Sequence, residues 1–313
     1  MKFVTFRGPS GGAVPGLVIE EGGAPSAVVD LARAFPLAGA AAPWGDEAPS
    51  LAGLIAAGDA GLDAAKSVAA PGARERIAAA VVPWQDAKLL APLPQPGKNV
   101  FCVGRNYVDH VAEGYRARGQ DLKLPEHPQF FTKPPTAVIG PDAPFHHDPR
   151  VTEKLDYEVE LAIVIGTRGR DIAESRVYDH VFGYTIVNDI TGRDLQRRHD
   201  QWFKGKGLDE SCPMGPWIVH KSALPDPQKL DIACFVNGEE RQHANTSQMI
   251  FDLKRIVVDL SKGMTLEPGD VIATGTPSGV GYAMDPPKFL KAGDVVECRV
   301  EGIGRLVTRI AAR

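Results

Sequence analysis

The sequence predicts an α+β chain, mainly β, in which a small N-terminal α+β domain precedes a larger antiparallel β-rich domain. Three observations carry that class. Beyond residue 98 the apolar residues fall in short β-branched runs separated by Gly, Pro and Asp, too short and closely spaced for alternating βα units. Residues 27–80 are instead rich in Ala and Gly, with apolar positions at helical spacing. Between the two textures, residues 89–98 (LLAPLPQPGK) hold Pro92, Pro94 and Pro96, the composition of a linker. The expected division is 1–90, a Pro-rich linker at 91–98, and 99–313.

Taken in order, residues 1–6 (MKFVTF) read as a strand, with a second strand-like piece behind them. Helical stretches follow at 27–35, 50–57 and 73–81. The larger domain offers strands at 99–103, 137–139, 155–165, 182–187, 217–219, 232–236, 271–274, 295–300 and 306–310. One helix, 248–262, follows Ser247 as N-cap and spaces Ile250, Leu253, Val257 and Leu260 along one face. Residues 266–271 and 290–295 repeat a Gly-Asp turn that feeds a strand, which is shared turn chemistry and not a repeat architecture.

Composition narrows the function classes. Apolar residues make up 43% and charged residues 24% of the 313, as in a globular protein with a real core. A net charge of −4 and a pI near 6.1 argue against a general nucleic-acid or membrane-surface role. No apolar run approaches the ~20 residues that span a bilayer. The first residues lack the apolar core of a signal peptide, so a cytoplasmic protein is expected. Cys102, Cys212, Cys234 and Cys298 are scattered, with no CxxC pair, and read as reduced structural thiols.

Chemistry concentrates in 156–165 (DYEVELAIVI). Strand alternation places Tyr157, Val159, Leu161, Ile163 and Ile165 on one face and Glu158 with Glu160 on the other. Two like charges on a half-buried strand repel each other and resist desolvation, so a positive group should offset them. The run 182–187 ends in Asn188-Asp189 and brings a third carboxylate. Three oxygen anions without Cys or His suit a hard cation such as Mg²⁺ or Mn²⁺. A solvated strand face with a chance aspartate fits the same pattern.

Four further segments carry reactive groups. In 104–114 (GRNYVDHVAEG), His110 and Glu113 lie three apart, one helical turn on one face. A carboxylate beside an imidazole fixes its tautomer and raises its basicity, the arrangement that draws a proton from water, although the same spacing also serves ordinary surface contacts. Lys133 sits in a rigid apolar stretch, 130–135, where it can meet a substrate carboxylate, solvent or one of the acidic residues. Lys206, flanked by Gly205 and Gly207, is either a surface lysine or one held near a metal to stabilise an oxyanion. Residues 274–281 (TGTPSGVG) can bind an anion through amides and hydroxyls, yet form neither a P-loop nor a dinucleotide fingerprint.

Together the motifs resemble the fumarylacetoacetate hydrolase family. The likeness runs from about residue 99 to the C-terminus and rests on 103–107 (VGRNY) with Asp109-His110, 156–160 (DYEVE), and Asn188-Asp189. It continues through 206–209 (KGLD), 268–272 (PGDVI) and 274–277 (TGTP). The resemblance implies a roll of mixed β-sheets around a metal site, usually in a homodimer, with a small variable N-terminal extension. It implies that Glu158, Glu160 and Asp189 bind one Mg²⁺ or Mn²⁺, that His110 with Glu113 activates water, and that Lys206 meets the substrate keto oxygen. Arg105, Tyr107, Lys133, Gln201 and Thr276 are the substrate-binding candidates.

A small 2-oxo acid is the substrate class the resemblance implies, with no nucleic-acid or membrane partner. An intact His–Glu pair is most useful where water must be activated, so the first expectation is hydrolysis of an acylpyruvate to pyruvate and a carboxylic acid. The segment Gln201-Trp202-Phe203 resembles members acting on small dicarboxylic acylpyruvates or oxaloacetate. Oxaloacetate decarboxylation is therefore the alternative, followed by isomerisation of a 2-oxo-enoate. A metal-stabilised binding protein without activity is the competing class.

Overall fold

The computed structural model describes residues 1–313. Its N-terminal part is built on an antiparallel meander of β1 (Lys2–Arg7), β2 (Ala13–Glu21) and β3 (Ala24–Asp30). Gly22 and Gly23, with φ of 60° and 83°, close the β2–β3 hairpin in the left-handed region that a two-residue turn demands. Helices α1 (Leu31–Ala38), α2 (Leu51–Ala56) and α3 (Gly58–Ala69) cover this meander. Asp30 caps α1 by accepting the Arg33 amide, and Ser50 caps α2 by accepting that of Gly53.

Two expected helices change here. Residues 27–30 are the end of β3, because Val28 and Val29 pair with Val18 and Leu17. The stretch 73–81 holds two short 3₁₀ turns, Pro71–Ala73 and Ala78–Ala80, before β4 (Val81–Pro83) pairs with β3. Helix α3 stands where no apolar face was visible, its buried side being Gly61, Ala65 and Val68. Beyond it lies β5 (Leu89–Leu90), which pairs with β1.

The larger part begins with β6 (Val100–Gly104), α4 (Val108–Arg116), β7 (Gln129–Lys133), β8 (Val138–Ile139) and β9 (Pro144–His147). Next come β10 (Leu155–Asp156), β11 (Val159–Ile165), α5 (Val177–His180), β12 (Val181–Asn188) and β13 (Thr191–Gly192). Helices α6 (Arg193–Arg198) and α7 (Phe203–Lys206) lead to β14 (Cys212–His220), β15 (Asp231–Val236) and β16 (Glu239–Asn245). The chain closes with α8 (Leu253–Ser261), β17 (Val271–Ala273), β18 (Val295–Val300) and β19 (Gly304–Ala312). Asp252, not Ser247, caps α8 by accepting the Arg255 amide. The expected early start fails because Asn245 and Gln248 close a separate capping box over Thr246–Gln248.

One large sheet runs β4-β3-β2-β1-β14-β12-β11-β17-β6-β7, so the N-terminal meander continues directly into the larger part through β1 and β14. Residues 91–98 lie packed against this junction: Ala91 and Leu93 are buried, and Thr5 donates to the Pro92 carbonyl at 2.6 Å. A second sheet, β16-β15-β18-β19-β9, stacks on the large one. Most pairings are antiparallel, in agreement with the expected mainly β, α+β class; β6–β17, β8–β14 and β9–β19 are parallel.

Strand β11 is the spine of the molecule. Its Leu161, Ile163 and Ile165 enter the core between the sheets, while Ala162 and Val164 enter the core beneath the N-terminal helices. Each large side chain fully buried there contributes about 1.5–3 kcal/mol over exposure. Burial on both faces explains the near-continuous apolar run at 161–165. It also fixes the register that places the two glutamates at the strand's start.

Candidate metal centre and active site

Antiparallel pairing of β11 with β12 sets Val159 opposite Asn188, and the Asp189 amide donates to the Glu158 carbonyl at 2.8 Å. This register gathers the carboxylates of Glu158, Glu160 and Asp189, whose oxygens lie within 4.8 Å of one another. All three residues are buried. The loop after β17 closes over them, and the Gly275 amide donates to Glu160 Oε2 at 2.7 Å. Glycine is required at 275: φ is 100°, and a Cβ would fall 2.7 Å from that of Asn106.

Three cations answer this charge. Lys206 Nζ donates to Glu158 Oε2 at 2.7 Å and Asp189 Oδ2 at 2.6 Å. Arg193 Nη2 donates to the other Glu158 oxygen, while its Nε reaches Asp156 Oδ2 at 2.9 Å. Lys133 Nζ donates to Asp189 Oδ1 at 2.7 Å. Burial works against the charged Glu158, but Lys206 and Arg193 outweigh it and hold its carboxyl well below the usual range. Glu160 goes the other way: burial, then Asp189 and Glu158, push its carboxyl well up.

The contrast tests the set as a metal site. Glu160 contacts no cation and receives one amide, so a buried carboxylate is left short of positive charge. Oxygen-only donors at this separation suit a hard divalent cation, and the residues fit one.

Beside the cluster, α4 carries His110 and Glu113. His110 Nδ1 and Glu113 Oε1 are 2.8 Å apart, and the Gly279 amide donates to Glu113 Oε2 at 2.8 Å. An ionised carboxylate only accepts, so the imidazole proton sits on Nδ1 and leaves Nε2 as the bare acceptor. A cavity of about 320 Å³ is walled by His110, Glu158, Glu160, Lys206, Arg105 and Thr276, among others. Arg105 adopts φ of 57° and stacks on Trp202 at 5.4 Å.

Three sequence candidates fall elsewhere. Lys133, expected against substrate, is fully buried beneath the carboxylates, one pair deeper along β7 than cavity-lining Phe131. Tyr107 is 2% exposed and lines a neighbouring cavity, because Asn106 is pinned to Phe251 and Thr274 and Tyr107 bridges Met249. Gln201 is exposed and off the wall; its neighbour Trp202 lines the cavity instead. Conversely, Arg193, Gln196, Arg197, Arg118 and Tyr282 line it without having been singled out. Arg193, Gln196 and Arg197 are spaced three and four apart on α6, directly after Asp189, a helical pattern that carried the missing signal.

Three buried carboxylates that fit a hard divalent cation lie beside an oriented imidazole, on a cavity wall that also carries several arginines, in a mainly β fold. The chain belongs to the fumarylacetoacetate hydrolase family: the model for the fumarylacetoacetate (FAA) hydrolase C-terminal region matches residues 99–311. It is 52% identical over 225 residues to oxaloacetate tautomerase YisK of Bacillus subtilis (strain 168), covering 72% of this chain and 73% of that protein. With mitochondrial oxaloacetate tautomerase FAHD2B of Homo sapiens it shares 42% over 242 residues, covering 76% and 74%. Among solved structures, fumarylacetoacetate hydrolase from psychrophilic Exiguobacterium antarcticum superposes with a TM-score of 0.78 at 40% identity, covering 100% of both chains. The 2-hydroxyhepta-2,4-diene-1,7-dioate isomerase from Mycobacterium marinum gives 0.73 at 32%, covering 100% and 99%.

Proposed function

We propose that the protein is a keto–enol tautomerase of a small 2-oxo dicarboxylate of the oxaloacetate class, using Mg²⁺ or Mn²⁺ held by Glu158, Glu160 and Asp189. The carrying observation is His110 Nε2, an imidazole nitrogen without a hydrogen bond, fixed through Glu113 and the Gly279 amide on the wall of a cavity that also carries Arg105, Arg118, Arg193, Arg197 and Lys206. Tautomerisation needs one base at C3 and charge stabilisation at the C2 oxygen, with no water to add and no carbon–carbon bond to break. Toward the enol, His110 Nε2 removes the C3 proton and the C2 oxygen takes a proton from solvent; toward the keto form the C2 hydroxyl gives its proton to solvent and His110 returns one to C3. Lys206, which burial opposes but Asp189 and Glu158 hold charged, donates from Nζ toward the C2 oxygen as negative charge gathers there. The cation, when bound, supplies Lewis acidity to that oxygen.

The wall also speaks to the two alternatives. Arg105, Arg118 and Arg197 suit a second carboxylate better than the apolar acyl group of a simple acylpyruvate. Holding that carboxylate charged and hydrogen-bonded opposes its loss as CO₂, which weakens the decarboxylase reading. The oxaloacetate tautomerases among the relatives support the same choice over acylpyruvate hydrolysis. The homodimer implied by family likeness belongs to this reading and is checked by light scattering.

The test is stopped-flow decay of the ultraviolet absorbance of enol-oxaloacetate with Mg²⁺, beside pyruvate release from acetylpyruvate and oxaloacetate. Faster enol decay with little pyruvate is expected. Background-rate decay together with rapid pyruvate release would refute the tautomerase.

A further inference from the structure

We infer that Lys133 is a positioning residue that confines Asp189 to a single cavity-facing carboxylate oxygen and anchors Lys206. The inference rests on the divalent-cation reading of Glu158, Glu160 and Asp189.

The Lys133 side chain has no exposure, and its ammonium has three acceptors for its three N–H groups: Asp189 Oδ1 at 2.7 Å, the Ile190 carbonyl at 3.0 Å, and the Lys206 carbonyl. Two consequences follow. Asp189 Oδ1 is engaged, so only Oδ2 is left toward the cavity, where Lys206 Nζ already meets it. Residue 206 is held at both ends, its carbonyl by Lys133 and its ammonium by the aspartate that Lys133 orients. Burying a lysine this way also offsets one carboxylate, which tempers the pull of the cluster on a cation.

This arrangement trades cation affinity for placement. Without the ammonium, Asp189 presents both oxygens and the cluster gains one unit of negative charge, so a bare cation binds more tightly. Lys206 meanwhile loses its anchor, and the oxyanion donor drifts.

The experiment strips the full-length protein of metal and titrates Mn²⁺ by electron paramagnetic resonance, with turnover measured in parallel. For Lys133→Met the Mn²⁺ dissociation constant is expected to fall roughly tenfold. Its kcat should drop roughly tenfold or more with KM little changed. Lys133→Gln keeps N–H donors for the two carbonyls and carries the test if Lys133→Met does not fold. Tighter Mn²⁺ with slower turnover is a signature that mere structural damage does not produce. Weaker or unchanged Mn²⁺ binding in a folded variant overturns the role of Lys133. A wild-type protein that binds no Mn²⁺ overturns the cation reading itself and this inference with it.

Discussion

Replacing Glu113 by glutamine isolates the part of the site that orients the base. The carboxylate has two bonds, one from His110 Nδ1 and one from the Gly279 amide, each 2.8 Å long. A carboxamide has a single acceptor oxygen, so Glu113→Gln keeps one bond and turns its NH₂ against a donor at the other. Gly279 is packed close against the Arg241 carbonyl, which a Cβ there would meet at 1.8 Å, and its φ is 104°. Either the imidazole loses its orienting partner or the helix loses its tie to the loop. A hydrogen bond to a charged group is worth about 1.5–3 kcal/mol, which translates to a loss of roughly ten- to a hundredfold in kcat. Glu113 is absent from the cavity wall, so KM should change by less than about threefold. The assay is enol decay under saturating substrate, with a melting curve to confirm the fold. A kcat within about twofold of wild type would refute the idea that Glu113 sets the base.

Three other perturbations read separate parts of the molecule. Glu160→Gln removes the carboxylate that has no cation partner; Mn²⁺ affinity should fall by roughly a hundredfold, while the melting temperature with chelator present holds or rises, as calorimetry will show. Lys206→Met should lower kcat by roughly a hundredfold with Mn²⁺ still bound, since oxyanion donors of this kind supply about that factor; an unchanged kcat places its ammonium away from the reacting oxygen. His220 is drawn down to about 4 from 6.5 by burial, then by the N-terminal amine and Lys221, and its Nδ1 accepts the Ser222 amide. The folded state therefore holds it neutral where the unfolded chain protonates it, so its contribution to stability is lost as pH falls from 6.5 towards 4. His220→Asn should flatten that part of the melting-temperature profile.

What could be read from the sequence was local and periodic. Glu158 and Glu160 share a face because strand alternation is strict, and His110 meets Glu113 because a helical turn brings them together. Helix α3 is harder to read because its buried residues, Gly61, Ala65 and Val68, are small and Gly58 and Gly61 are weak helix formers.

The cations were legible only in part. Lys133 and Lys206 lie 73 residues apart and meet through a backbone carbonyl, a contact that no spacing rule encodes. Lys133 on its short strand reads equally as a partner of substrate, solvent or an acidic residue, until the end of β12 supplies Asp189. Arg193 was readable in principle, four residues after Asp189 on a helix, yet its meaning depends on Asp156 and Glu158 arriving from β10 and the start of β11. The carboxylates announce a need for positive charge, because burying three of them together is unfavourable without it. Which cations answer is settled by topology. The residues that tune a buried charged site are therefore the ones whose partners sequence reading leaves open.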